Sequence, residues 1–352
     1  MQELANTLTD LLPYVYDVQK FEDASNKKLI SEKISKFKTA SHAVPKDKAD
    51  DLLGQDPLVT MSIENLEREI ESAQQAYEKG NTRYSRHLLQ HTLNYCFACH
   101  TRSQMGPKYD YWNLTKLSGL NISPLQRSQI LVATRQFDQA KDLLKSQLIR
   151  GPEAFSNPYM QEQAIKRYLA IVVKAENSPT EGYKFINEID EKSRLPVYLS
   201  KNLHSWEESF VKWMAENKNG KPKNLLAKAK RLIEHSDFLY GGVDGDGRYV
   251  DYLRASSLLH ESLGQKLTNK QRAEAYLRLG VVYNLLSDSG FWELPEGYFE
   301  ACIREWPKSS MAKDCYRNYE QNVVIGYSGS AGTFIPGDER KKLANLKKLA
   351  GY

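Results

Sequence analysis

Residues 80–100 read GNTRYSRHLLQHTLNYCFACH, and this stretch determines the interpretation of the first part of the chain. Gly80 and Asn81 interrupt the helical pattern that precedes them and mark the start of a new helix. That helix ends in the cluster Cys96-Phe97-Ala98-Cys99-His100. Residues three and four positions apart share one face of a helix. The sequence therefore predicts a helix over about 81–100 that carries two thiols and an imidazole on one side.

A C-x-x-C-H cluster is the attachment pattern of a c-type haem. The two thiols add across the two vinyl groups of the porphyrin, and the adjacent imidazole binds the iron. The chain has only four cysteines and seven histidines, so chance rarely produces this spacing. We expect Cys96 and Cys99 to form the thioethers of one covalent haem c, and His100 to be its axial iron ligand.

Three other interpretations of the cluster agree less well with its surroundings. A thioredoxin-type C-x-x-C follows a strand and opens a helix, whereas this one closes a helix. A zinc site needs further ligands at metal spacing, and the remaining cysteines, Cys302 and Cys315, lie far away in the sequence. A disulfide between Cys96 and Cys99 within one helix would be strained.

Three more helices are predicted before this one, over about 3–22, 27–42 and 62–79. In the first and third, apolar residues recur at steps of three and four and form one stripe. A polar connection from Pro45 to Pro57 separates the second from the third. The segment 106–124 is interrupted by glycine and proline and is predicted to be a linker.

Four helices with C-x-x-C-H near the end of the fourth resemble the cytochrome c prime family of four-helix-bundle cytochromes. The resemblance covers about residues 1–105, and its specific part is Gly80-Asn81 followed by Cys96 to His100. It implies a haem at one end of the bundle, with the sixth iron position open beside an apolar side chain or filled by a methionine. Family members usually carry a basic residue about four positions after the histidine, where this chain has Gln104; the nearest base is Arg102.

Up-down-up-down connectivity identifies the candidates for a sixth iron ligand. It brings the starts of helices one and three, and the ends of helices two and four, to the same end of the bundle. His42 and Met61 are the only strong iron ligands in those stretches. An exposed loop histidine and a core methionine are the alternatives, and they leave a five-coordinate iron on His100.

From residue 125 onward, helical segments alternate with short turns, as in a solenoid of helix pairs. The segment Tyr276–Tyr283, YLRLGVVY, resembles the tetratricopeptide pattern W-x2-L-G-x2-Y with tyrosine in place of tryptophan. The predicted fold is therefore all-α: a four-helix-bundle haem domain over 1–105, a linker over 106–124, and a tetratricopeptide-like helical repeat domain over 125–352.

A disulfide is predicted between Cys302 and Cys315. Both are equally distant from the centre of the turn at 307–310, so in an antiparallel helical hairpin they lie at the same height. An oxidising compartment, which a c-type haem implies, favours closure of such a pair. Two buried free thiols that pack as small hydrophobes are the alternative.

Composition restricts the classes of function. The net charge of +5 is spread along the chain without a dense basic block, so we expect no nucleic-acid partner. No apolar run approaches the length of a membrane span. No nucleophile–base pair and no second cofactor motif is evident, so we do not expect an enzyme.

These observations together predict a periplasmic monohaem c-type cytochrome. The start Met1-Gln2-Glu3-Leu4 has no signal-peptide pattern, so we expect the mature form of an exported protein. Repeat arrays present concave surfaces to other proteins, which favours electron transfer with a redox or assembly partner docked on the repeats. A gas-binding or gas-sensing protein for nitric oxide or carbon monoxide, and an assembly scaffold with a structural haem, are the alternatives.

Overall fold

The structure, a computed structural model, describes residues 2–44, 56–102, 119–218, 220, 222–234, 246–291 and 294–352. Within these ranges the chain forms sixteen α-helices and one two-stranded hairpin. The predicted all-α class is therefore confirmed. None of the helices in the described ranges is both long enough and apolar enough to cross a membrane.

The helices of the first part follow the predicted order, with one difference. They are α1 (Gln2–Val15), α2 (Val18–Glu22), α3 (Lys27–His42), α4 (Leu58–Glu78), α5 (Thr82–His100), α6 (Pro124–Ala133) and α7 (Phe137–Arg150). The single helix predicted over 3–22 is two helices. Its break lies at Asp17, whose carboxylate accepts the backbone N–H of Lys20 and so begins α2 as an N-cap.

Consecutive long helices in this part pack against one another. α1 packs on α3, α3 on α4, and α4 on α5. Two contacts give the register of α4 and α5: the Ser85 hydroxyl donates to the Ala73 carbonyl at 2.7 Å, and His91 Nδ1 lies 2.8 Å from Glu69 Oε1. Each step towards the end of α5 is therefore a step towards the start of α4.

The second part continues with nine helices in the described ranges. They are α8 (Pro158–Ala170), α9 (Pro179–Lys192), α10 (Val197–Asn217), α11 (Leu225–Glu234), α12 (Tyr249–Leu263), α13 (Asn269–Leu285), α14 (Leu294–Glu305), α15 (Ser310–Gly326) and α16 (Gly337–Ala350). A π-helical turn, Ile171–Ala175, extends α8. The hairpin joins β1 (Ser328–Gly329) to β2 (Gly332–Thr333), with Ser328 opposite Thr333.

The contacts divide the chain into two compact units. The first holds the described residues up to 44 together with 58–215, and the second holds 56–57 together with 216–352. This division differs from the predicted domains 1–105 and 125–352, because α6 packs directly on α5 within the first unit. Most of the predicted linker 106–124 lies outside the described residues, so a separate domain over 1–105 stays a prediction.

In the second unit, each helix from α11 to α15 packs on the next one along the chain. The glycine of the YLRLGVVY segment has a local cause. A Cβ atom at Gly280 in α13 would collide with the ring of Phe299 in α14. A residue without a side chain is therefore needed where these two helices cross.

Candidate haem attachment site

The C-x-x-C-H cluster lies on the last two turns of α5. A stripe of buried residues leads up to it at helical steps of four and three: Ser85, Leu89 and Thr92. Cys96 and Cys99 continue these steps, and His100 lies beside Cys96 one turn further on. The two thiols and the imidazole thus extend the stripe that α5 buries against its neighbours.

Within the described residues neither thiol of the cluster forms a disulfide, and both are partly buried. Burial, and then the neighbouring Cys99, raise the pKa of the Cys96 thiol to about 12. A C-x-x-C pair that carries out thiol–disulfide exchange has the opposite property, because its nucleophilic thiol has a lowered pKa. The environment of Cys96 therefore disfavours the thioredoxin-type interpretation.

The His100 imidazole is buried, with 8% of the residue exposed, and its Nδ1 lies 3.4 Å from the Val132 carbonyl oxygen in α6. Burial and then the Arg135 guanidinium lower the pKa of His100 to about 4, so the ring is neutral near pH 7. A proton on Nδ1, directed at this carbonyl, leaves the lone pair on Nε2. A neutral imidazole fixed in this way by a backbone carbonyl is the usual metal-binding form of histidine.

A tight turn after α6 holds the carbonyl that faces His100. The Arg135 backbone N–H donates to the same Val132 oxygen at 2.9 Å, and Arg135 has a left-handed φ of 61°. Arg135 is 5% exposed, and its guanidinium lies 5.6 Å from the centre of the Phe137 ring. The turn therefore places a buried cation and a shared acceptor next to the imidazole.

Ser62 in α4 is a buried polar residue on an otherwise apolar stripe. The residue is 5% exposed, and within the described part of the chain its hydroxyl has no hydrogen-bond partner. By the register of α4 and α5, Ser62 lies level with residues 96–98. A hydroxyl without a partner beside the two thiols is consistent with a site that receives a further group.

A haem c fits these residues. The thiols share one face, the imidazole Nδ1 lies 3.4 Å from a carbonyl oxygen, and at the same height a buried hydroxyl has no partner among the described residues. Within the described residues, no group of three or more His, Cys, Asp or Glu side chains is placed to hold a metal ion. A haem needs only one such side chain, since the porphyrin supplies four iron ligands.

The two candidate sixth ligands differ in their surroundings. His42 is half-exposed at the end of α3, where its Nδ1 lies 3.1 Å from Glu67 Oε1. Met61 is partly buried in the first turn of α4, level with Cys99 in the α4–α5 register. Either assignment stays a prediction. His42 pairs with Glu67, which is level with Leu93 and therefore lies further from His100 along the bundle than Met61 does, so the register favours Met61. Arg102 lies two residues beyond the end of α5, whereas Gln104 lies outside the described residues.

The contribution of α6 to the site was not predicted from the sequence. Val132 acts through its backbone carbonyl, so its side chain carries no signal. Ser62 could have been recognised from the sequence, because it occupies the apolar face of α4 between Leu58 and Leu66. A polar residue on such a face calls for a specific partner.

The predicted pair Cys302 and Cys315 forms a disulfide between α14 and α15. Both residues are fully buried, and their Cα atoms are 6.3 Å apart, within the range of protein disulfides. The prediction from the symmetry of the helical hairpin is therefore confirmed.

Comparisons of the chain with known protein families, with curated proteins and with solved structures found no match.

Proposed function

We propose that the protein is a periplasmic monohaem c-type cytochrome that transfers electrons. Cys96 and Cys99 hold the haem through thioether bonds, and His100 Nε2 is the axial iron ligand. The observation that carries the proposal is the buried His100 imidazole, with Nδ1 3.4 Å from the Val132 carbonyl oxygen, directly after two thiols on the same helical face. Bound there, a haem c supplies a one-electron iron couple.

The surroundings of the site support electron transfer to a protein partner. Cys96 and Cys99 are each partly exposed, and we propose that the group that they attach has an edge which a partner can approach. Electron exchange needs such an edge. We assign the docking of the redox or assembly partner to the helix pairs of the tetratricopeptide-like part, and we retain the four-helix bundle as the proposed haem-carrying architecture.

Covalent attachment is tested by acid–acetone extraction of protein made with a c-type maturation system. The wild type is expected to keep its colour, and Cys96→Ala and Cys99→Ala are each expected to give the spectrum of a single thioether. Cys302→Ala combined with Cys315→Ala is the matched control, because it removes two cysteines elsewhere and is expected to keep the wild-type haem spectrum. Complete loss of haem from the wild type on extraction would refute the proposal.

Gas binding is the second candidate. The Ser62 hydroxyl favours it, because this hydroxyl has no hydrogen-bond partner among the described residues. A hydroxyl beside an open iron position can donate to a bound diatomic ligand. The test is the absorption spectrum of the reduced protein with and without carbon monoxide. A large shift with carbon monoxide supports an open site, whereas an unchanged low-spin spectrum supports a sixth protein ligand and electron transfer alone.

A further inference from the structure

Three buried tyrosines of the second unit each hydrogen bond to a side chain that can accept a proton, either a histidine or a carboxylate. The Tyr283 hydroxyl lies 2.6 Å from His260 Nε2, the Tyr298 hydroxyl donates to Asp56 Oδ1 at 2.9 Å, and the Tyr276 hydroxyl donates to Glu305 Oε1 at 3.1 Å. All three tyrosines are at most 1% exposed. Each phenol therefore has a proton acceptor at hydrogen-bond distance inside the protein.

The partner of Tyr283 is itself held by a carboxylate. His260 Nδ1 lies 2.6 Å from Asp56 Oδ2, and the two side chains are 2% and 0% exposed. Because a carboxylate only accepts hydrogen bonds, it keeps the imidazole proton on Nδ1. His260 Nε2 then has a free lone pair, which accepts the hydrogen bond of the Tyr283 phenol.

The aromatic rings form a continuous series that reaches the surface. Ring centres are 5.9 Å apart for Tyr283 and Tyr298, 6.0 Å for Tyr298 and Tyr276, and 5.2 Å for Tyr276 and Trp306. Trp306 is partly exposed, and the guanidinium of Arg272 lies over its ring. An electron can move between rings at these separations in short steps, without a long jump.

Packing alone does not call for these partners. A buried phenol is satisfied by one neutral acceptor such as a backbone carbonyl. Burying a carboxylate and an imidazole costs free energy even when they are paired. The arrangement has a chemical use, however, because a phenol that loses an electron becomes strongly acidic, and a base in hydrogen-bond contact removes the proton at once.

We infer that Tyr283 is a redox-active tyrosine, which a one-electron oxidant at the surface reaches through Trp306, Tyr276 and Tyr298. The oxidant is of the class of oxygen-centred radicals derived from peroxides. It takes one electron, the phenolic O–H bond of Tyr283 breaks, and its proton moves to His260 Nε2. The products are a neutral tyrosyl radical and an imidazolium paired with Asp56, and a one-electron donor such as a thiol reverses both transfers.

The experiment uses the full chain and photogenerated tris(bipyridine)ruthenium(III), an oxidant too bulky to enter the interior. Samples are frozen at increasing times after a flash, and organic radicals are followed by electron paramagnetic resonance. We expect a long-lived radical whose signal narrows when the protein contains ring-deuterated tyrosine. Tyr283→Phe is expected to abolish this signal, and Trp306→Phe is expected to slow its appearance.

Two further variants separate the relay from ordinary surface oxidation. His260→Gln is expected to shorten the lifetime of the radical, because the phenolic proton then escapes from the site. Tyr327→Phe changes a tyrosine that is 40% exposed and outside the ring series, so it is expected to leave the long-lived signal unchanged. An undiminished long-lived signal in Tyr283→Phe would overturn the inference. That variant keeps the ring, so it decides the question even where His260→Gln fails to fold.

Discussion

Two serine-to-alanine substitutions on one helical pair are expected to change stability in opposite directions. Ser62 and Ser85 are both buried, at 5% and 0% exposure. The Ser85 hydroxyl donates to the Ala73 carbonyl at 2.7 Å, whereas the Ser62 hydroxyl has no partner in the described part of the chain. The same chemical change therefore removes a satisfied group in one case and an unsatisfied group in the other.

The expected magnitudes follow from these environments. A buried polar group without a partner costs about 1–3 kcal/mol, so Ser62→Ala is expected to raise the free energy of unfolding of the haem-free chain by about this amount. Ser85→Ala loses a hydrogen bond with a net value of about 0.5–1.5 kcal/mol and is expected to lower it. In the haem-loaded protein the gain from Ser62→Ala is expected to shrink, since the bound group offers the hydroxyl a partner.

Urea unfolding followed by far-ultraviolet circular dichroism measures both effects. The urea concentrations at the midpoint of unfolding are compared between variants whose unfolding free energy depends equally steeply on urea, so that a shift of the midpoint reports stability alone. Ser85→Ala is the control for loss of a serine hydroxyl in this helical pair. If Ser62→Ala destabilises the haem-free chain as much as Ser85→Ala does, the hydroxyl has a partner and the reasoning about the site is wrong.

Three further predictions concern the disulfide, a helix crossing and the axial histidine. Reduction of the Cys302–Cys315 bond, which links residues 13 apart, is expected to cost about 3 kcal/mol in the chain-entropy treatment, as measured by unfolding with and without reductant. Gly280→Ala is expected to cost about 1–3 kcal/mol through overpacking. Gly326→Ala, which has open space around the new methyl group, serves as its control and is expected not to destabilise the protein in the same unfolding assay. Because burial lowers the pKa of His100 from 6.5 to about 4, the contribution of its neutral ring to the stability of the haem-free chain is fully present above pH 6.5 and is expected to be lost as the pH falls from 6.5 to 4; a His100→Gln variant with the same pH profile would contradict this.

Local patterns in the sequence were sufficient for part of the site and fold. The spacing of Cys96, Cys99 and His100 predicted one helical face, because a helix has a fixed number of residues per turn. The pairing of Cys302 with Cys315 followed from the symmetry of one hairpin, and the all-α class followed from apolar periodicity. In each case the interacting groups are separated by a few turns of helix.

The parts that escaped prediction depend on long-range contacts. Val132 approaches His100 through a backbone carbonyl, which every residue possesses, so no residue type could indicate it. Asp56 lies in a stretch that reads as a polar connection, yet its carboxylate is buried against His260, 204 residues further along the chain. No helical period relates positions so far apart, and only the folded packing of the helices brings them together.

The position of Asp56 also has a consequence for the time course of synthesis. The second unit contains residues 56–57 and then nothing more until residue 216. All of 58–215 is therefore synthesised between the first residues of the second unit and the rest of it. At about 5–20 residues per second, the carboxylate of Asp56 emerges about 10–40 s before the imidazole that will bury it. Until then it remains a hydrated charge on a growing chain. All of the first unit is therefore made by residue 215, whereas the second unit cannot close its core around Asp56 until residue 260 has been added.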